Sequence, residues 1–224
     1  MDDFTGQISG RLSVPLFPLP NVVLFPKVIL PLHVFEDRYK RMTTDAIEGD
    51  GRIAMALLRP GWEKDYHCRP PIEPVVCVGQ IVAKERLKGG EYNFLLRGEF
   101  RAQIVRESGG RPSDKTPYRV ALLSPLDEIP ALEIDLVRER QVMETIFSDG
   151  LLGGGSQAQE LFSRPIGTAD IADLVAFRYL EDVQLKQSLL AERDVRRRVE
   201  QVVRSLRGLA GAARPRRIDH SGLN

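Results

Sequence analysis

His33, Glu36 and Arg38 stand close together and bring an imidazole, a carboxylate and a guanidinium to one stretch of chain, the side-chain types that acid–base catalysis uses. The same residues also suit a structural task, because a carboxylate and an arginine at a helix start commonly cap and pair there. The structural role is the expected one, since the other histidines, His67 and His220, lie far along the chain and form no cluster with His33. His67, Cys68 and Cys77 offer three metal-binding side chains, but their spacing contains no Cys-x-x-Cys pair and a structural zinc site takes four ligands. No Gly-x-Ser-x-Gly nucleophile elbow is present. The glycine-rich run Gly153-Gly154-Gly155-Ser156 is not followed by the Gly-Lys-Ser/Thr that a phosphate-cradling loop needs, so it is expected to be a linker. These patterns predict no catalytic residues, no metal and no cofactor.

Binding chemistry is better represented. Trp62 and Tyr66 sit in a polar, proline-containing stretch from Arg59 to Pro74, where aromatic side chains are suited to anchoring a peptide. Leu24, Phe25 and Pro26 form an apolar turn that is either a client-binding surface or part of the core. Arg193, Arg196, Arg197, Arg198, Arg204, Arg207, Arg214, Arg216 and Arg217 make the C-terminal end basic. RNA readers join such a patch to exposed stacking aromatics, and none follows Tyr179. The arginines are therefore expected to be a solvated helix face plus a tail, with RNA binding through that end as the rival reading.

The elements that must carry these residues change character near Pro130. Before it come β-prone pieces at 11–17, 22–25, 28–34, 53–58, 75–85, 91–97, 100–105 and 118–123, with one helix over 37–48. In that helix Tyr39, Met42, Thr43, Ala46 and Ile47 recur at spacings of three and four and define one buried face. Lys88-Gly89-Gly90 reads as a hairpin turn. Many short strands with one inserted helix suggest a small closed or half-closed barrel of six to eight strands. After Pro130, which can occupy a first helical position, the pattern is helical. Leu132, Leu136, Met143 and Phe147 share a face. Thr168 is placed to cap a second, largely buried helix, a short helix is expected around 185–190, and Asp194 is placed to cap a last one with Val195, Val199, Val202, Val203 and Leu206 on one side. The expected division is 11–125, a β subdomain; 130–209, a helical bundle; and 210–224, a basic disordered tail. The 224 residues are 42% apolar and 28% charged, with a formal net charge of +1, so no global field draws the chain to nucleic acid or anionic membrane. The N-terminus lacks the basic and apolar regions of a secretory signal, and two cysteines fit a reducing compartment, so we expect a cytoplasmic protein with no membrane partner.

Pro15 to Met42 (PLFPLPNVVLFPKVILPLHVFEDRYKRM) resembles the opening signature of the substrate-recognition domain at the N-terminus of Lon proteases, with Val34 where isoleucine is more usual. Val78-Gly79-Gln80-Ile81-Val82 and Tyr92 to Ile104 (YNFLLRGEFRAQI) resemble that family's central hairpin and its Gly-x-x-Arg-x-x-Ile element, here Gly98, Arg101 and Ile104. Asp170 to Leu190 followed by Asp194 resembles its C-terminal helices. The resemblance implies an α+β architecture, a PUA-like β-barrel followed by a helical bundle, with His33, Phe35, Glu36, Arg38, Tyr39, Gly79, Gly98 and Arg101 as structural motif residues. It also implies unfolded or extended polypeptide as the bound partner, with a separate ATP-dependent protease as a further one. Lon's ATPase and serine–lysine peptidase modules lie outside the stretch resembled, so the expectation is a non-catalytic recognition domain.

Overall fold

A computed structural model describes residues 10–65, 69–110, 114, 116–150 and 160–213. These residues form two compact units. One unit takes the described residues up to Ile129 together with Glu181–Arg193, and the other takes Pro130–Leu180 together with the chain from Asp194. Residues 181–193, within the stretch 130–209 expected as a helical bundle, group with the first unit.

The first unit is a mixed sheet of six strands: β1 (Leu12–Leu19), β2 (Ile29–Val34), β3 (Arg52–Leu57), β4 (Val75–Arg86), β5 (Tyr92–Gly109) and β6 (Arg119–Pro125). Helix α1 (Asp37–Glu48) follows β2, and a single 3₁₀ turn (Trp62–Asp65) follows β3. The strand order is β2-β5-β4-β3-β1-β6, and β5 also pairs with β6. Only β1 and β3 run parallel; the other pairings are antiparallel. Alternate residues of β1, β3, β4, β5 and β6 meet in one core, among them Val14, Leu16, Val76, Val78 and Leu123. Ala54, Ala56, Ala102 and Ala121 stand among them, small enough to let the larger side chains interdigitate.

Two expected strand features are corrected. Residues 22–25 are not a strand: Val23, Leu24 and Phe25 lead into a turn completed by Lys27, whose φ is 67°. Gly98 does not end a strand. Residues 92–109 run as one strand, because the register slips by one residue where Val78 faces Phe100 and Gly79 faces Gly98, a bulge that absorbs the irregularity without breaking the ladder. Gly98 is glycine for a steric reason: a Cβ there would lie 2.0 Å from the Phe25 carbonyl oxygen. Gly79 is similarly confined, with Leu96 Cγ 2.7 Å from a built Cβ.

Four longer helices follow among the described residues, α2 (Glu133–Ser148), α3 (Thr168–Tyr179), α4 (Val183–Ala191) and α5 (Val195–Ala213), and residues 160–163 are helical as well. Helix α4 belongs to the sheet unit, where Gln187 Nε2 donates to Val75 O at 2.9 Å. Asp182 caps it, its carboxylate accepting from Gln184 N and Leu185 N.

The second unit is built on α2, α3 and α5. The apolar face expected for α5 is buried in full, from Val195 to Leu206. Asp194 caps that helix by accepting from Arg197 N at 3.1 Å. The other expected caps differ. Helix α2 begins at Glu133 after Leu132, not at Pro130, and Leu132 is 70% exposed while Leu136, Met143 and Phe147 are buried. Helix α3 has Gly167 at its N-cap position, and Thr168 is already helical. The capping group comes from α2: Glu133 accepts from Thr168 N at 2.9 Å and from Thr168 Oγ1 at 2.7 Å. Helix α5 continues through 210–213, which were expected in the tail; residues 214–224 and 151–159 lie outside the described residues.

Candidate functional site

The β2 strand ends the sheet. It pairs with β5 on one side and has no strand partner on the other among the described residues. Gly98 N donates to Val28 O at 2.8 Å in the same register that sets Ile29 against Arg97. By the two-residue period of an antiparallel ladder, Leu30, Leu32 and Val34 then direct their backbone groups to β5, while Ile29, Pro31 and His33 direct theirs outward. Pro31, which has no N–H, thus occupies an edge position where a proline removes nothing from the ladder.

On one face of β2, β5 and β4 the register lines up Pro31, Leu95 and Ala83 in one row and His33, Asn93 and Glu85 in the next. These residues line a groove of about 410 Å³. Its walls are mainly apolar, and around it Ile29 is 52% exposed, Val82 43% and Leu95 37%. At the far end Phe35, 61% exposed, stacks on His33 with ring centroids 6.0 Å apart. His33 Nδ1 lies 2.8 Å from Asn93 Oδ1, and Nε2 lies 3.6 Å from Glu91 Oε2. The imidazole is thereby held against β5 as part of the groove's rim. Exposed apolar surface beside an unpaired strand edge is suited to holding an extended chain, which can add main-chain hydrogen bonds to the edge and lay side chains in the groove.

Sequence reasoning did not single out Ile29, Pro31, Ala83 or Leu95. A signal was present: consecutive apolar residues in Ile29–Leu32 and Phe94–Leu96 place apolar groups on both faces of strands, and one face must then be either covered or used.

Of the two readings of the apolar turn, client surface or core, the core is the one the structure shows. Leu24 and Phe25 are 0% exposed and Pro26 is buried, because the turn packs down onto Gly98. Trp62 is half-buried and packs on the strand core. Tyr66, His67 and Cys68 lie outside the described residues. Cys77 is buried and forms no disulfide among the described residues, where no group of three or more metal-ligating side chains occurs either.

The motif residues hold the frame. Glu36 pairs with Arg38 at 3.0 Å, and the Arg38 guanidinium lies 4.5 Å from the Tyr39 ring centroid. The expected side-chain cap is absent: Glu36 is the N-cap residue of α1, and it is its carbonyl that accepts from Tyr39 N and Lys40 N. Tyr39 packs on Phe17 with centroids 4.6 Å apart. Arg101, 4% exposed, donates from Nε to Leu190 O at 3.1 Å and pairs with Glu128 at 3.2 Å. Tyr118, 6% exposed, donates to Asp45 Oδ2 at 2.7 Å, and burial together with that carboxylate pushes its phenol above the ordinary tyrosine range. Burial holds the Lys186 ammonium below the ordinary lysine range, against a smaller opposing effect of Glu181.

The C-terminal arginines are not one solvated face. Arg198 is 1% exposed, with Nε 3.3 Å from Asp173 Oδ1. Arg196 pairs with Asp135 at 3.1 Å, and Arg193 donates to Asp127 O at 2.7 Å. Arg197, Arg204 and Arg207 remain exposed, while Arg214, Arg216 and Arg217 lie outside the described residues. No helix among the described residues is long and apolar enough to cross a membrane.

The family model of the ATP-dependent protease La (LON) substrate-binding domain matches residues 13–208. A Lon protease of Desulfosudis oleivorans is 21% identical over 197 residues, covering 87% of this chain and 24% of the relative. Lon protease 1 of Syntrophobacter fumaroxidans is 31% identical over 96 residues, covering 43% of this chain and 12% of the relative. The chain thus spans about a quarter or less of the length of these curated relatives. Among solved structures, a Lon N-terminal domain protein from Xanthomonas campestris superposes with a TM-score of 0.60 at 23% identity, over 86% of this chain and 98% of that one. The N-terminal domain of Mycobacterium avium complex Lon protease gives 0.62 at 18% identity, over 89% and 98%. At these identities the likeness establishes the fold.

Proposed function

The chain belongs to the LON substrate-binding domain family, and from that premise we propose that it is a non-catalytic recognition protein that captures extended, apolar stretches of polypeptide in the groove beside β2. The observation that carries this reading is the contiguous exposed surface of Ile29, Pro31, Ala83 and Leu95 next to a strand edge with no second strand partner among the described residues. Removing apolar client side chains from water contributes roughly 25 cal/mol per Å², and ordering the client opposes it. Recognition is therefore broad and weak. The client is passed to a separate ATP-dependent protease in the cytoplasm. The β5–β6 pairing, which joins the ends of the run β5-β4-β3-β1-β6, supports a PUA-like barrel as the scaffold.

Fluorescence anisotropy of a labelled unfolded protein tests the proposal. Binding is expected to be nearly independent of salt, to leave the client uncleaved, and to weaken several-fold in Leu95→Asp and Ile29→Asp, both changes at exposed positions. Undiminished binding in both variants would move the site elsewhere, and a steep loss of binding with salt would indicate a charge-driven ligand such as RNA.

A further inference from the structure

The groove is electrically polar along its length. At the His33 end stand two carboxylates: Glu91, 3.6 Å from the imidazole, and Glu85, which faces Asn93 in the register. At the Ile29 end stands Arg97, exposed and without an ion-pair partner among the described residues. Glu85 likewise has none among the described residues. Lys84 also borders the groove, but the register pairs it with Phe94, whose side chain is buried on the opposite face. From Asn93 to Arg97 is four residues of strand, about 13 Å at the usual rise. An apolar centre therefore separates an anionic end from a cationic one by the reach of a five-residue extended segment.

We infer that the site selects its clients by charge order as well as by apolarity, preferring an extended segment with a basic residue on its N-terminal flank and an acidic residue on its C-terminal flank. This inference rests on the groove being the client site. The direction follows from the edge. An added strand pairs more favourably when antiparallel. Antiparallel addition to β2 sets the client's N-terminal flank at the His33 end, on the side of the two glutamates, and its C-terminal flank at the Arg97 end, with the client's side chains reaching inward across β2. Alternate client residues fall on the groove face, so a Lys-x-Leu-x-Glu pattern meets carboxylates, apolar wall and guanidinium in turn. Exposed charges contribute little to affinity individually, but they set register and reject the reversed arrangement.

Two fluorescein-labelled peptides of identical composition test this, both with valine and leucine centres. One carries lysine on the N-terminal and glutamate on the C-terminal flank; the other has the two exchanged. The first is expected to bind about fivefold more tightly at low ionic strength, and the difference should vanish near 1 M salt, where screening lengths fall to about 3 Å. In the Glu85→Lys/Glu91→Lys/Arg97→Glu variant the preference should reverse. Equal affinities, with Leu95→Asp weakening both, would overturn the charge selection while leaving the groove as the client site. If neither peptide binds and Leu95→Asp leaves unfolded-protein binding intact, both readings fall.

Discussion

Gly98 lies directly beneath the carbonyl group of Phe25, so close that a Cβ on residue 98 would sit 2.0 Å from the oxygen and 3.2 Å from Cys77 Sγ. This contact fixes the descent of the Leu24-Phe25-Pro26 turn into the core and the point where β2 joins β5, since Gly98 N and O also bond Val28 and Lys27. Gly98→Ala should cost about 1–3 kcal/mol or more, because the neighbour is backbone and cannot swing aside. Urea denaturation read by far-UV circular dichroism would register it; a variant as stable as the parent would refute the close approach.

Asp173 and Arg198 form a pair with both side chains at most 3% exposed. Asp173→Ala should destabilise the helical unit by about 3–5 kcal/mol, since it leaves a buried guanidinium without its carboxylate. Replacing both residues together, as Asp173→Leu/Arg198→Met, should recover most of that loss, because desolvating the pair offsets much of its attraction. Thermal unfolding of the single and double variants distinguishes a structural pair from an arginine held for RNA binding.

Tyr118 should make the protein sensitive to alkali. Its folded-state pKa is raised above the ordinary value of 10.0, so the stability it contributes is fully present below pH 10 and is lost as pH rises toward the folded value. The stability difference between the parent and Tyr118→Phe should therefore be flat below pH 10. Above it the difference should shrink by at most about 1.4 kcal/mol per pH unit. Absorbance titration of the parent against Tyr118→Phe should show that the tyrosine removed is one that ionises above the ordinary range.

Glu133 caps α3 from outside that helix, so Glu133→Ala should destabilise by about 0.5–2 kcal/mol, the range for losing an N-terminal cap. Thr168→Ala should cost less, since Thr168 N continues to donate to the carboxylate. Equal losses in the two variants would argue that the hydroxyl, not the backbone amide, carries the cap.

Some of this was legible in the residues. The spacing of Tyr39, Met42, Thr43 and Ala46 defined the buried face of α1, and the valine ladder from Val195 to Leu206 defined that of α5. The proline-framed opening and the Gly98-x-x-Arg101 element carried the family resemblance that the comparison over residues 13–208 bears out. The candidate site was not legible in the same way. Leu24 and Phe25 stand in a turn-rich stretch whose residues fit either a client surface or the core, and the close approach to Gly98 shows them to be core. Leu95 looks like core between Phe94 and Leu96, yet it faces out because β5 alternates sides while its neighbours do not cover that face.

Periodicity and glycine placement are local properties, set by backbone geometry within a few residues, and the sequence by itself determined what depends on them: the buried faces of α1 and α5, the hairpin turn, the sheet-then-helix order and the family. Which of two apolar faces is covered, which arginine is buried, and which carboxylate caps a distant helix depend on neighbours far along the chain. Those were decided by the tertiary structure alone, through the β2–β5 register, the Asp173–Arg198 pairing and the reach of Glu133 to Thr168.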